Sequence, residues 1–316
     1  MVRFTLVCGT AGRTRELDRL LRSLAAQSYG GFELLLVDQN TDDRAQSILA
    51  SYPQIAALRL QSSPGICRAL NLGLRNAAGD VVGFPDDDCW YQPDFLQQLA
   101  DLFDTHPEWD GITVRTVDEQ GRQSICRWPK SPCNLTKTKL GLCGCSTSVF
   151  YRRAVCMRVG NFDESIAAGA SLLNPGSDVD YLHRAVRAGF HLEYQPQLVV
   201  RHPQNLPTGI VDPQGERKRY QSGYGEGSNS RKYSLPLWHP VALILFPFLR
   251  VIKHLSTLKT HLARNEWLTL RGRIDGWMRT QPAPNVLAPV IDIDTNLQPR
   301  PLPSQTAERS SRAVGE

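Results

Sequence analysis

The chain has 316 residues, 41% of them hydrophobic and 21% charged, and a net charge of +5. That length suits one large α/β domain or two small ones, and the mixed composition excludes a globally disordered, collagenous or coiled-coil chain. The positive excess is too small to mark a nucleic-acid binder, so no nucleic-acid partner is expected, whereas anionic ligands or an anionic membrane face are admitted.

Residues 4–7 read as a strand, and 15–27, with Leu17, Leu20, Leu21 and Leu24 at helical spacing, as an amphipathic helix. A strand at 32–37, a helix at 42–51, a strand at 57–61, a helix at 66–76 and a strand at 81–84 follow. Such repeated βαβ units predict an α/β fold with a mostly parallel sheet that gathers ligands at the carboxyl ends of its strands. Beyond a helix at 94–103, residues 114–117 and 124–128 read as a hairpin around the turn from Asp118 to Gly121. Residues 146–152 read as a strand, 179–188 as a helix and 198–201 as a last strand that ends at His202. Gly, Arg, Lys and Ser dominate 203–232, which reads as a mobile loop or lid. Residues 235–270 return to helical periodicity, and the Pro-rich polar stretch from 281 reads as a disordered tail. The domains expected are therefore 1–232 (catalytic), 233–280 (helical) and 281–316 (tail).

The eight cysteines lack paired CxxC spacing and read as buried thiols of a reducing compartment, with Cys143 and Cys145 on alternate residues of a strand. No charged n-region precedes the first apolar residues, so no signal peptide is expected. The longest apolar run, 241–249, is interrupted by Pro247 and falls short of the ~20 residues that span a bilayer. The expected location is the cytoplasm, or the cytoplasmic face of a membrane.

Chemistry concentrates at Asp86, Asp87 and Asp88, directly after the strand at 81–84. Three adjacent carboxylates repel one another, and a cation relieves that repulsion. Oxygen ligands favour Mg²⁺ or Mn²⁺, whose usual companion is a diphosphate; the alternative is a solvated acidic turn. The turn from Cys8 to Arg13, with Thr10, can offer N–H groups and a cation to phosphate. Asp38 ends the neighbouring strand and faces the same crevice.

The block from Gly65 to Tyr91, with Asn71, Gly73, Gly79 and Asp80 leading into Phe84-Pro-Asp-Asp-Asp-Cys-Trp-Tyr91, closely resembles the inverting family 2 glycosyltransferases. Arg13, Asp38 and Gly160-Asn-Phe-Asp163-Glu164 also stand where that family's pattern puts them, and the resemblance runs from about residue 4 to about 232. It implies a GT-A fold, Rossmann-like in character, with C-terminal amphipathic helices and a nucleotide-diphosphate-sugar donor. It further implies Mn²⁺ or Mg²⁺ on Asp88, with Asp86 and Asp87 at ribose or metal. Arg68 is expected at base or phosphates, with Asn71 on the same donor-side helix. His202 completes the metal site or ends a strand as a plain polar residue.

Where the family has a second carboxylate after Asp38, this chain has Gln39. Its carbonyl can accept a pyrimidine N3–H and its NH₂ can donate to a ring carbonyl, so a UDP- or TDP-sugar is expected. Asp178 matches the family's base, with Ser177 in place of a glutamate; either residue could instead cap the helix. Asp180 is two residues on and points elsewhere. The basic, glycine-rich run 217–227 resembles a flexible loop that folds over the donor. Residues 235–258 fit either an interfacial helix or one packed on the domain.

The function implied is inverting, metal-dependent transfer of a sugar to a hydroxyl of a growing, lipid-linked surface glycan. A sugar nucleotidyltransferase and a non-catalytic nucleotide-sugar binding protein are the rival readings.

Overall fold

The computed structural model describes residues 1–164, 176–204 and 213–282. Its first half alternates strand and helix: β1 (Phe4–Thr10), α1 (Arg15–Ala25), β2 (Phe32–Asp38), α2 (Arg44–Leu49), β3 (Ala57–Gln61), α3 (Ile66–Arg75), β4 (Val81–Gly83) and α4 (Phe95–Thr105). There follow β5 (Gly111–Val117), β6 (Cys133–Asn134), α5 (Leu140–Cys143), a 3₁₀ turn (Ser146–Ser148), β7 (Val149–Arg152), α6 (Arg153–Val159), α7 (Ser177–Arg187) and β8 (Leu192–Arg201). One sheet of eight strands forms, in the order β3-β2-β1-β4-β7-β5-β8-β6. β1, β2, β3 and β4 run parallel, as do β5 and β8, whereas β7 is antiparallel to β4 and β5 and β6 is antiparallel to β8.

Every residue of β1 and β2 is buried, as near-continuous apolar central strands require. Side chains alternate across the sheet: Phe4, Leu6 and Cys8 join the core under α1 and α4, and Val7 joins the core on the opposite side with α3 and α7. The α1 leucines Leu17, Leu20, Leu21 and Leu24 are all buried in the first of these cores.

The structure corrects four expectations. Residues 124–128 form no strand: a single Val117–Gln123 bridge is made, then Ile125 turns into the left-handed region at φ 60° and the chain leaves the sheet. Trp128 is nonetheless buried, its indole N–H donating to Thr116 Oγ1 and to the Ser124 carbonyl, both at 3.0 Å. Residues 146–148 are a 3₁₀ turn, and only 149–152 pair as strand. Cys143 ends α5 and Cys145 precedes the turn, so neither lies on a strand; all eight cysteines are free thiols.

The fourth correction is the largest. Residues 213–232, expected to be a mobile lid, are the 20-residue helix α8 (Pro213–Lys232). It packs chiefly on α10 (Thr260–Arg279), and α9 (Trp238–Ser256) packs on both. The glycines that suggested a loop are contact residues. A Cβ on Gly223 or Gly227 would collide with the carbonyl oxygens of Thr269 or Arg273, and one on Gly272 or Gly276 with those of Tyr220 or Tyr224. Two helices therefore touch backbone to backbone, which no larger side chain permits. The remainder of the expected lid, 205–212, and nearly all of the expected tail, 283–316, lie outside the described residues.

Pro247 sits inside α9 and leaves the Leu243 carbonyl without its helical donor. Arg273 of α10 donates to that carbonyl at 2.7 Å while its guanidinium pairs with Glu226 of α8 at 2.5 Å. One side chain thus joins all three C-terminal helices.

Candidate active site

The carboxyl ends of β1, β2 and β4 open on a cleft of about 1050 Å³, whose far wall is built by α7, α8 and α9. Asp86, Asp87, Asp88, Arg13, Gln39, His202 and Asp178 all line it. Asp86 and Asp88 belong to the loop after β4. His202 arrives from the opposite side of the sheet on β8, through an isolated antiparallel bridge in which Trp90 and Arg201 exchange N–H to carbonyl bonds of 2.9 Å. That register puts His202 beside Asp88, with Nε2 3.1 Å from Asp88 Oδ1 and 3.7 Å from Asp86 Oδ2.

One ligand atom from each of Asp86, Asp88 and His202 lies within 4.8 Å of the others, the single such cluster among the described residues. The donor set fits a divalent cation on a second count. His202 Nδ1 lies 2.7 Å from the Pro203 carbonyl, which places the proton on Nδ1 and leaves the Nε2 lone pair directed at the two carboxylates. Two carboxylate oxygens with one imidazole nitrogen suit Mn²⁺, and Mg²⁺ less well.

Asp87 turns the other way. Its Oδ2 accepts from Thr10 Oγ1 at 2.8 Å, and Arg13 Nη1 lies 2.6 Å from its Oδ1 and 2.7 Å from Asp88 Oδ2. Arg19 of α1 supports the same loop, donating to the Asp88 carbonyl at 3.0 Å and lying over the Trp90 ring at 3.7 Å. Nothing in the sequence distinguished Arg19 from a solvent-facing helix arginine.

Electrostatics separate the three aspartates. Burial raises the Asp86 carboxyl to about 7, with Asp88, Asp87 and Asp178 pushing the same way against His202. Burial also raises Asp87, opposed by Arg13. Asp88 is pushed up by burial too, but the hydrogen bond and charge of His202, with Arg13, outweigh this and hold it below the usual carboxylate range. For His202, burial favours the neutral ring, and Asp88 and Asp86 reverse that, raising it above an ordinary histidine.

Asp178 opens α7. Gly176, in the left-handed region at φ 95°, precedes the helix, so neither Ser177 nor Asp178 is the cap. The Asp178 carboxylate accepts from its neighbour Val179 N–H at 2.8 Å and from Ser146 N–H at 3.3 Å. Burial raises its pKa, opposed by those N–H groups. In the same 3₁₀ turn, Thr147 Oγ1 accepts from Asp86 N–H at 3.3 Å. This turn therefore ties the metal-ligand loop to the candidate base, a link that the expectation of a strand over 146–152 concealed.

Asp180 is fully buried between Arg184 at 2.9 Å, Lys232 at 2.7 Å and the Tyr233 hydroxyl. Its carboxylate anchors α8 to α7 and is no part of the cleft wall.

Three expected donor-side residues are engaged outside the cleft. Asp38 is fully buried and accepts from Arg59 Nε at 2.8 Å and from the side chain of Asn40 at 2.7 Å. Asn71 brackets Phe162, donating to its carbonyl at 3.0 Å and accepting from its N–H at 2.7 Å. Arg68 bonds Ser63 at 2.9 Å and lies 3.4 Å from Glu164. Gln39 does reach the cleft, but its carbonyl accepts from Gly65 N–H at 2.7 Å, so its NH₂ group faces Gly9 and the open space.

Residues 10–160 match the sequence pattern of glycosyl transferase family 2. The chain carries a family 2 glycosyltransferase domain. An uncharacterized glycosyltransferase of Nostoc sp. is 26% identical over 179 residues, covering 51% of this chain and 54% of that one, so the chain spans about half the length of this relative. Among solved structures, a mannosyltransferase from Pyrobaculum calidifontis in complex with GDP-Man and Mn²⁺ superposes with a TM-score of 0.61 at 15% identity, covering 88% of each chain. Residues 1–349 of S. aureus TarS, in complex with UDP-GlcNAc, give a TM-score of 0.56 at 16% identity, covering 88% of this chain and 92% of that one. These likenesses establish that the family 2 glycosyltransferase domain has the GT-A fold. In that frame, the aspartate loop after β4 and the start of α7 stand on two sides of one cleft.

Proposed function

We propose that the chain transfers a sugar from a nucleoside-diphosphate donor to a hydroxyl of a growing glycan, with inversion at the anomeric carbon. The observation that carries this reading is the opening of the Asp86–Asp88–His202 cluster and of Asp178 on the same cleft. Asp86, Asp88 and His202 would hold Mn²⁺ or Mg²⁺, which when bound supplies Lewis-acid stabilisation of a departing diphosphate. Arg13, already between Asp87 and Asp88, adds a fixed cation beside the same phosphates.

Asp178 takes the proton from the acceptor hydroxyl as it attacks. A base pKa raised by burial lies closer to working pH, which favours that transfer. Single displacement needs this base and no covalent nucleophile, so the sugar inverts. The Gln39 NH₂ group donates to a ring carbonyl of uracil or thymine, consistent with a UDP- or TDP-sugar. Guanine O6 would accept the same donor, so GDP is tested alongside.

The outer face of α9, where Leu249, Ile252 and Leu255 are about half exposed, would rest in the headgroup layer of a membrane. No described helix is long and apolar enough to cross one.

Calorimetric titration of UDP, TDP and GDP with and without Mn²⁺ tests the donor site. One diphosphate should bind in a metal-dependent manner, and Asp88→Ala should weaken it by about tenfold or more. Metal-independent binding, or binding indifferent to Asp88→Ala, would overturn the reading.

A further inference from the structure

Cysteine pairing sets one part of the cleft wall apart. Six of the eight thiols are buried, and the two that are not, Cys126 and Cys133, each meet a buried partner. The Cys126 side chain shares a hydrogen bond with that of Cys145, and the Cys133 side chain one with that of Cys143. All four pack with Trp128, Leu135, Leu140 and Tyr194 in the core that also holds Val7. They come as pairs and not as a tetrad: among the described residues no three thiol sulfurs lie within 4.8 Å of one another, as a four-thiolate cation site requires.

Regular structure is scarce in this stretch. Between Val117, where β5 ends, and Val149, where β7 begins, lie a two-residue strand, a four-residue helix and a 3₁₀ turn of three residues. Few backbone bonds hold it, so a covalent link across it would restrict it strongly. Cys126 and Cys145 both line the cleft. Cys145 directly precedes the turn from which Ser146 N–H donates to Asp178 and Thr147 Oγ1 accepts from Asp86 N–H. Cys126 is part-exposed and within reach of a small solute, whereas Cys145 is 5% exposed. Contact with Cys126, together with burial, pushes the Cys145 thiol well above the ordinary range, which makes it the slower partner in any exchange.

We propose that Cys126 and Cys145 form a reversible redox modification site, oxidised by small-molecule disulfides, whose closure links two segments of the cleft wall. The Cys126 thiolate attacks one sulfur of the small disulfide and releases its other half as a thiol. Cys145 then attacks the Cys126 sulfur of the mixed disulfide and releases the second half. The cysteine pair gives up two electrons and two protons, and the small disulfide takes them up as two thiols. The new sulfur–sulfur bond, about 2.05 Å, is far shorter than a non-bonded contact, so closure draws Cys145 and the turn after it toward Cys126. The two carboxylates held by that turn, Asp86 and Asp178, are thereby exposed to the redox state of the wall.

The test incubates the reduced full chain for hours with oxidised glutathione, blocks the remaining thiols by alkylation and maps the disulfides by mass spectrometry. Cys126 should be linked to Cys145, and dithiothreitol should reverse the link. In Cys145→Ser, Cys126 should stop at the mixed disulfide with glutathione. In Cys126→Ser, a change at a part-exposed position, Cys145 should stay reduced. The rise in melting temperature on oxidation should be roughly 5 °C larger in the wild type than in Cys126→Ser, because the link closes a loop of about 20 residues. The same melts check that each variant is folded. Cys126 left unreacted or as a mixed disulfide in the wild type, a link from Cys126 to any other cysteine, a link formed only in urea, or a stoichiometric zinc ion that oxidation expels would each overturn the proposal. The link concerns thiol chemistry alone and fails separately from the transfer reading: disulfide mapping tests the one, Mn²⁺-dependent nucleotide binding the other.

Discussion

Protonation and the proposed metal would compete for one atom at His202. The Pro203 carbonyl holds the proton of Nδ1, so a second proton must go to Nε2, the atom turned to Asp86 and Asp88. Burial favours the neutral ring, but these carboxylates outweigh it and raise the His202 pKa above that of an ordinary histidine. Metal binding must then release a proton, and Mn²⁺ affinity should rise with pH through that raised pKa and fall below it. Calorimetry of Mn²⁺ at a series of pH values checks this, and His202→Gln should flatten the profile. Asp178 gives the opposite trade. Its folded-state pKa is raised, so burial of the charged carboxylate costs stability above that pKa, and the cost fades as pH falls through it. Asp178→Asn should therefore raise the melting temperature at pH 7 while reducing the transfer rate by about 10²- to 10⁴-fold. The aspartate run and Asp178 were legible in sequence because adjacent carboxylates and a helix-opening aspartate are local patterns. The surroundings of His202, Asp38 and Asn71 were not, since they depend on the Trp90–Arg201 bridge, on Arg59 from the next strand and on Phe162 from a distant loop.

At the scale of elements, the sequence misled most at α8. Glycine is a poor helix former, about 1 kcal/mol worse than alanine per residue, and a stretch with Gly223, Gly225 and Gly227 reads as loop by that measure. Tertiary packing overrides it, because the backbone contact with α10 requires glycine on both helices. Gly227→Ala should cost about 1–3 kcal/mol in urea unfolding, the reverse of what a glycine-to-alanine change does in an ordinary exposed helix. Arg273→Met should destabilise by a similar amount, since it strips the donor from the Leu243 carbonyl that Pro247 left open. Combining Arg273→Met with Pro247→Ala should recover part of that loss, because the helix then supplies its own donor. The βαβ half was readable because strand and helix periods alternate cleanly there. The stretch after β5 was not, because Ile125 breaks the alternation with a backbone angle that no side-chain pattern announces.

Across the whole molecule, the two ends of the cleft come from different parts of the chain. Residues 4–160, with His202, supply the acidic end, and Gly176, the candidate base Asp178 and α9 supply the other. The basic composition, with pI about 8.8, adds attraction for an anionic surface, and Lys253 and Lys259 sit near the outer apolar face of α9. Cosedimentation with phosphatidylglycerol vesicles should be observed at low salt, weaken with added salt, and be lost in Leu249→Asp combined with Ile252→Asp.

The glycine contact between α8 and α10 has a consequence for how such a protein can change. One side of the far wall is locked, since almost any substitution at Gly223, Gly227, Gly272 or Gly276 meets backbone. Trp238, Ala242 and Phe246 of α9 line the open cleft and carry no comparable restriction. Change in the cleft wall is thereby channelled to a few positions, Ala242 and Phe246 first among them, while α8 and α10 stay fixed against each other. A library varied at those two sites should keep near-constant stability, whereas one varied at the four glycines should yield chiefly unfolded protein.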